Sequence, residues 1–414
     1  MKYIAHVYTA ATLAVAASSV TAADWPQWHG PDRDNRSKET GLLQAWPDGG
    51  PKLLWTASGL GGGYSTPSFA QGRIFGMGYR DADEVVWALD AQEGKEVWAT
   101  ATRPAYRGMD RAEGPRCTPT VDGDHLYVLG GAGNLACLET DGGKLVWQVD
   151  LVKDHGGKMM SGWGYSESPL VDGGQVVCTP GGPQGTMAAF DRRTGKLLWQ
   201  TRDLTDSAAY SSIVIATLAG VRQYVQWTDQ HVFGVAPADG RVLWRAPRSG
   251  RVAVIPTPVC HDDHVYVTSG YGIGCNLFRI TKAGDAFQAA QVYANKDMVN
   301  HHGSVVLVGD HLYGYSDGKG WVCQEFLTGK TVWAERDKLG KGALTYADGN
   351  LILRAESGRG AVVLIAASPE GWVEKGRFDQ PQRSDKNSWP HPVVSGGRLY
   401  LRDQGVLLCY DLKP

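Results

Sequence analysis

Two adjacent imidazoles, His301 and His302 in "VNHHGSVV", stand where the chain elsewhere writes Thr-Pro or Ser-Pro. Imidazole nitrogens transfer protons, ligate metals or hydrogen-bond a ligand near neutral pH. In an extended strand neighbouring side chains point to opposite faces, so the pair is ill placed to share one metal. His302 is expected on the functional face, with His301 packing or hydrogen-bonding behind it. Other chemically capable groups gather in loops of similar position. "YRGMDRAEGPR" holds Arg107, Asp110, Arg111, Glu113 and Arg116, and "HGGKMMSGWGYSES" holds His155, Lys158, Trp163, Tyr165 and Glu167. "NKDMVNHHG" adds Lys296 and Asn300, while "DKNSWPHP" adds Asn387, Trp389 and His391. Aromatic faces beside cations and titratable groups are the ingredients of a small-molecule pocket. Glu167, just ahead of Ser168 and Pro169, is the candidate general base if the pocket is catalytic. Arg111 and Arg116 either recognise an anion or pair with Asp110 and Glu113 in their own loop.

The elements that must position these groups repeat along the chain. "GKEVW" (94–98), "GKLVW" (143–147), "GKLLW" (195–199), "GRVLW" (240–244) and "GKTVW" (329–333) recur, with "PKLLW" at 51–55 as a variant. A spacing of roughly 45 to 50 residues is that of propeller blades built from four strands. A second marker opens each unit: "STPSF", "CTPTV", "ESPLV", "PTPVC" and "HPVVS", with weaker forms at 211, 303 and 343. Eight starts result, and eight Trp positions if degenerate ends near Phe287 and Phe378 are admitted. The last unit stops before any Trp, whereas "PKLLW" precedes the first start, so the early strand is expected to complete the last blade and close the ring. The fold class is therefore all-β, an eight-bladed propeller of four-stranded antiparallel blades. It spans residues 51–414 after an extension at 24–50.

Positions fixed by such a frame recur, whereas a site breaks the repetition. Aligned on the blade starts, His302 falls level with Tyr64, Arg116, Ser166, Tyr210, Ile255, Gly342 and Trp389. That position faces the central channel or its mouth, and its diversity is too great for a packing layer. The ligand-binding candidates are accordingly Tyr64, Arg111, Arg116, Trp163, Tyr165, Glu167, Tyr210, His302, Trp389 and His391, with no metal ligand assigned.

Composition agrees with many strands and tight turns: 54 Gly, 20 Pro and 15 Trp. A net charge of −2 gives no reason to expect nucleic acid as a partner. Residues 1–23 read as a secretion signal with small residues at Val20, Ala22 and Ala23 ahead of cleavage before Asp24. They place the protein in the periplasm or outside the cell, with no transmembrane segment, as a monomer. The seven Cys form no CxxC motif; Cys137, Cys323 and Cys409 alternate with Ala88 and Ala189 two positions before a strand-closing acid, as small core fillers do. "PDRDNRSKE" lacks the spacing of an EF-hand loop, and GxSxG, HExxH and phosphate-loop motifs are absent.

With these residues in view, the chain resembles the pyrroloquinoline-quinone (PQQ) repeat propellers, a superfamily holding quinoprotein alcohol dehydrogenases and BamB-type assembly lipoproteins. "WPQWHGPDRDN", "GPRCTP", "WGYSESP", "NHHGSVV" and "RLYLRDQGVLLCYDL" are similar to a group of exported PQQ-binding-like repeat proteins. The dehydrogenase branch implies PQQ with a divalent cation such as calcium, an acidic base and an adjacent Cys pair; the Cys pair is missing here. The BamB branch implies a protein partner and a lipid-anchoring Cys, and no Cys precedes Cys117. Three functions follow. The first is an exported scaffold that binds a small molecule, glycan or protein partner in an axial funnel. The second is a PQQ-dependent oxidoreductase acting on an alcohol or sugar. The third is a metal-assisted carbohydrate lyase or hydrolase.

Overall fold

A computed structural model describes residues 24–108 and 114–414. The secretion signal read at 1–23, and Arg111 with Asp110 and Glu113, lie outside the described residues. Within them, strands alternate with tight turns to form eight antiparallel sheets of four strands: residues 68–104, 120–150, 170–200, 214–247, 259–295, 305–335, 342–379, and 393–411 joined by Leu53–Ala57. These are blades 1 to 8 of a closed propeller. Leu53–Ala57 pairs antiparallel with Val406–Asp411, setting Trp55 opposite Cys409. The early strand thus completes the blade the C-terminus leaves one strand short, and no open sheet edge remains between first and last blades.

The repeated Trp fixes how blades pack. Trp98, Trp147, Trp199, Trp333 and Trp55 each sit opposite a small residue, respectively Ala88, Cys137, Ala189, Cys323 and Cys409. The alternation of Cys with Ala is explained by that pairing: a larger side chain would push the indole off its sheet. Four of these indoles, Trp55, Trp98, Trp147 and Trp199, then reach the turn glycine of the next blade. A Cβ on Gly94, where φ is +69°, would come 2.5 Å from Trp55, and one on Gly143 2.3 Å from Trp98. Left-handed strain costs about 1–2 kcal/mol and overpacking about 1–3 kcal/mol. Gly94→Ala should therefore lower the unfolding free energy by about 2–4 kcal/mol in urea titrations, and an unchanged midpoint would rule this packing out.

Two blades depart from the expected pattern. In blade 5 the Trp position is taken by Tyr293, opposite Leu277, rather than by a residue near Phe287. In blade 7 it is Gly376, opposite Leu364, while Phe378, two residues on, sets its ring against Gly50 just ahead of the closing strand. The N-terminal extension adds a second ring there. Trp46 donates its backbone N–H to Lys375 O at 2.8 Å, packs edge-on against Phe378 at 5.4 Å, and leaves no space for a Cβ on Gly376.

The same extension threads the axial channel, which the first strands of the blades surround. Trp25 exchanges backbone hydrogen bonds with Phe69, and Pro26 O accepts from Val121 N at 2.8 Å. Arg33 donates to Ser168 O at 2.7 Å and Pro169 O at 3.1 Å, and Asn35 to Leu344 O at 2.6 Å. Arg36–Ser37 then adds a parallel strand to blade 7, beside Tyr346 and Ala347. The channel is filled from one end by chain that precedes the repeats, which leaves a cavity at the other.

Candidate functional site

That cavity, about 180 Å³, is lined by Tyr64, Arg116, Ser166, Tyr210, Ile255, His302 and Trp389. These are seven of the eight residues that the repeat alignment puts at one ring position. The eighth, Gly342, has no side chain to offer, and its carbonyl abuts Gly303 instead. Thr66, Ser212 and His391, two residues further along their blades, form a deeper layer; Trp28 of the threaded segment closes the floor. Trp28 is fixed by its indole N–H on Thr257 Oγ1 at 2.8 Å and by stacking on His29 at 4.0 Å. Trp163, Val252, Tyr271 and His301 complete the walls.

Aromatic rings dominate. Tyr64 lies 4.4 Å from Trp389, which meets Trp163 edge-on at 6.4 Å and His302 at 5.7 Å. Arg116 spreads over Tyr64 and Trp163, 5.6 and 5.9 Å from the ring centres, while donating to Trp163 O at 2.9 Å. Tyr210 hydrogen-bonds Ser161 through its hydroxyl.

His302 is buried, and its Nε2 lies 2.5 Å from Glu356 Oε2, which also accepts the Trp389 indole N–H at 3.0 Å. Burial opposes the Glu356 charge, but His302, Lys341 and Trp389 hold its carboxyl below the ordinary range. Glu356 was not foreseen: it lies 54 residues from its partner and in no motif. His391 donates Nε2–H to His302 O at 3.1 Å, which leaves its Nδ1 to accept from His29 Nε2 at 3.3 Å. A carbonyl can only accept, so the tautomer follows from the network. Burial presses His391 down to about 3 and His29 well below 6.5. His301 accepts from Lys341 Nζ at 2.7 Å, itself paired with Asp317 at 2.8 Å; burial, His302 and Lys341 bring it to about 4. All three imidazoles are neutral near pH 7.

The expectation that His301 packs or hydrogen-bonds behind His302 is corrected in its placement: His301 does hydrogen-bond, to Lys341, but both imidazoles line the cavity. Strand alternation does not apply, because the first strand of blade 6 begins only at Val305 and Ser304 has φ +58°. Tyr165 and Glu167 flank Ser166 in sequence and point away from the cavity. Tyr165 is buried and donates its hydroxyl to Pro180 O at 2.8 Å. Glu167 accepts from Thr179 N at 2.7 Å and from Thr179 Oγ1 at 3.0 Å. Its repeat counterparts play the same part, Ser65 accepting from Met77 N and Cys117 from Leu129 N, each twelve residues on. Glu167 is therefore a frame residue. Burial pushes its carboxyl up to about 8. His155 packs against Phe190 and Lys296 lines a separate cavity.

Aromatic faces here would stack on a planar ring, as a quinone requires. A calcium ion takes six to eight oxygen ligands, whereas among the described residues none that lines the cavity is Asp or Glu. Among the described residues no three His, Cys, Asp or Glu side chains are grouped to hold a metal, and all seven Cys are free thiols. The described lining thus offers no carboxylate to the cation that accompanies PQQ and no ligand set for a metal-assisted hydrolase.

A family profile described as outer membrane protein assembly factor BamB matches residues 107–335. BamB of Shewanella oneidensis is 26% identical across 69% of this chain, and the match spans 61% of that relative's length. The structure of BamB from Moraxella catarrhalis superposes with a TM-score of 0.61 at 15% identity, covering 87% of this chain and 98% of that one. Quinohemoprotein alcohol dehydrogenase from Comamonas testosteroni reaches 0.66 at 11% identity, over 96% of this chain and 82% of that one. At these identities the two structures share the fold alone.

Proposed function

The chain belongs to the PQQ-repeat propeller family described as outer membrane protein assembly factor BamB, and from that premise we propose that it is an exported, periplasmic binding protein whose axial cavity takes a saccharide ring. One observation carries the reading: the side chains at the non-repeating ring position converge on one cavity walled by aromatic faces. Faces such as Trp389, Tyr64 and Trp28 pack on the C–H side of a pyranose, and few other ligands combine an apolar face with a rim of hydroxyls. Tyr210, Ser212 and the neutral imidazole of His301 supply donors and acceptors for that rim. A cavity of about 180 Å³ walled by side chains and floored by Trp28 suits a compact ligand rather than a folded partner. Among the described residues no helix is long and apolar enough to cross a membrane.

Calorimetric titration with a panel of neutral mono- and disaccharides tests the proposal. At least one should bind saturably, and Trp389→Ala should weaken it about a hundredfold, or about 2.7 kcal/mol, without shifting the thermal midpoint by more than a few degrees. Absence of saturable binding across the panel, or a Trp389→Ala variant that binds as tightly as the parent, defeats it. So does tight binding of PQQ plus calcium in the same assay.

A further inference from the structure

A second cavity, about 350 Å³, opens between blades 4 and 5 beside the axial one. The loop 270–273 separates them: Tyr271 faces the axial cavity and Ile273 the second. Its charged lining residues are Arg248 and Lys296, and among the described residues no Asp or Glu contributes. Arg248 follows directly on the last strand of blade 4 and is 5% exposed. It lies 4.6 Å over the ring of Trp227.

A buried guanidinium without a counter-charge is costly, and the protein's other buried arginines show how that cost is ordinarily offset. Arg354 and Arg402 feel the Asp403 carboxylate, which also pairs with the less buried Arg383. Arg33 lies beside Glu167, which burial pushes up to about 8, and is held instead by the Ser168 and Pro169 carbonyls and Gln27 Oε1. Arg248 likewise has no ionised partner, but it lines an open cavity. Its electrostatic neighbours are Cys275 and Tyr266, and burial lowers it to about 10. Its hydrogen bonds run to neutral acceptors: Nε to Asn276 Oδ1 at 3.1 Å, one terminal nitrogen to Ser269 Oγ at 3.1 Å, the other to Gly274 O at 2.7 Å. A guanidinium has five N–H donors; these three bonds leave one on each terminal nitrogen, a fork suited to two oxygens of one anion. The nearest acid in sequence to Lys296, Asp297, is committed to Lys319 at 2.5 Å.

We propose that this cavity is an anion site, in which Arg248 grips a compact oxyanion in bidentate fashion while Lys296 supplies the second charge from the rim. The shared chemistry is that of a phosphate, sulfate or carboxylate group. The site stands independently of the saccharide reading.

Inorganic phosphate, sulfate and acetate, each titrated calorimetrically against the full chain at low chloride, distinguish the three sources. Saturable binding of at least one is expected. Lys296→Glu, an exposed position, should weaken it at least tenfold with an unchanged unfolding transition, and Trp389→Ala should leave it unaltered. Arg248→Met should abolish it; if that variant does not fold, Lys296→Glu alone decides. The proposal falls if none of the three anions binds saturably, if Lys296→Glu binds as well as the parent, or if Trp389→Ala removes binding here as it does for saccharides.

Discussion

A chain beginning at residue 51 should lose its cooperative unfolding transition, although it keeps the four antiparallel strands of all eight blades. Strand Leu53–Ala57, which closes the ring, is retained; what goes is the segment that fills the channel. Trp25 is 2% and Trp46 7% exposed, and truncating one buried Trp costs about 3–5 kcal/mol. Withdrawing Arg33 also takes its donors from Ser168 O and Pro169 O, of which the latter keeps Thr120 Oγ1, and strands Glu167 beside an emptied channel. The sum is on the order of 10 kcal/mol, comparable to the whole stability of a typical protein. Trp46→Ala isolates one contribution and should cost about 3–5 kcal/mol, because Gly376 has no ring of its own to offer blade 7. Urea unfolding followed by tryptophan fluorescence and near-ultraviolet dichroism reads both. A truncated chain with the parent's midpoint would mean that the extension merely rests on the propeller.

The contrast between residues 51–414 and residues 24–50 explains what could be read from the sequence. Repetition is its own control: Gly94, Gly143 and Gly195 recur because each supports an indole from the preceding blade, and that regularity exposes the blade count, the closure and the ring position. Seven of the eight side chains at that position do meet. Trp28 and Trp46 belong to no repeat, so nothing in their spacing shows that one floors the cavity and the other adds a ring to blade 7. Glu356 is hidden for a related reason, since it reaches His302 across neighbouring blades. His301 was misassigned because a strand was assumed where the backbone is irregular. Glu167 was legible after all: Ser65 and Cys117 hold its register, and an acid among such counterparts marks a hydrogen-bonding slot of the frame rather than a general base.

Glu167→Gln should stabilise the protein at pH 8 and leave it nearly unchanged at pH 4.5. In the folded chain burial pushes the Glu167 carboxyl up to about 8, from an ordinary 4.5. Between those values the folded state keeps a proton that the unfolded state has released, so folding is disfavoured increasingly as pH rises. Each unit of pH across the window costs about 1.4 kcal/mol, on the order of 4 kcal/mol by pH 8 for a fully buried group. Gln is the neutral isostere of the protonated acid; its carbonyl oxygen can still accept from Thr179 N, and it carries no proton to lose. His29 and His391 act in the opposite sense. Their lowered values mean that the unfolded state takes up protons first as pH falls below about 6.5, so their contribution to stability declines toward acid in both parent and variant. Taking the difference between Glu167→Gln and the parent cancels those histidines and every other titration. Urea titrations at pH 4.5, 6.5 and 8 should therefore give a difference that starts near zero and grows in favour of Gln with a slope of about one proton. A difference that does not change with pH would show that Glu167 is ionised in the folded protein, and with that the shared role of Ser65, Cys117 and Glu167 as neutral acceptors in one repeated slot would no longer hold.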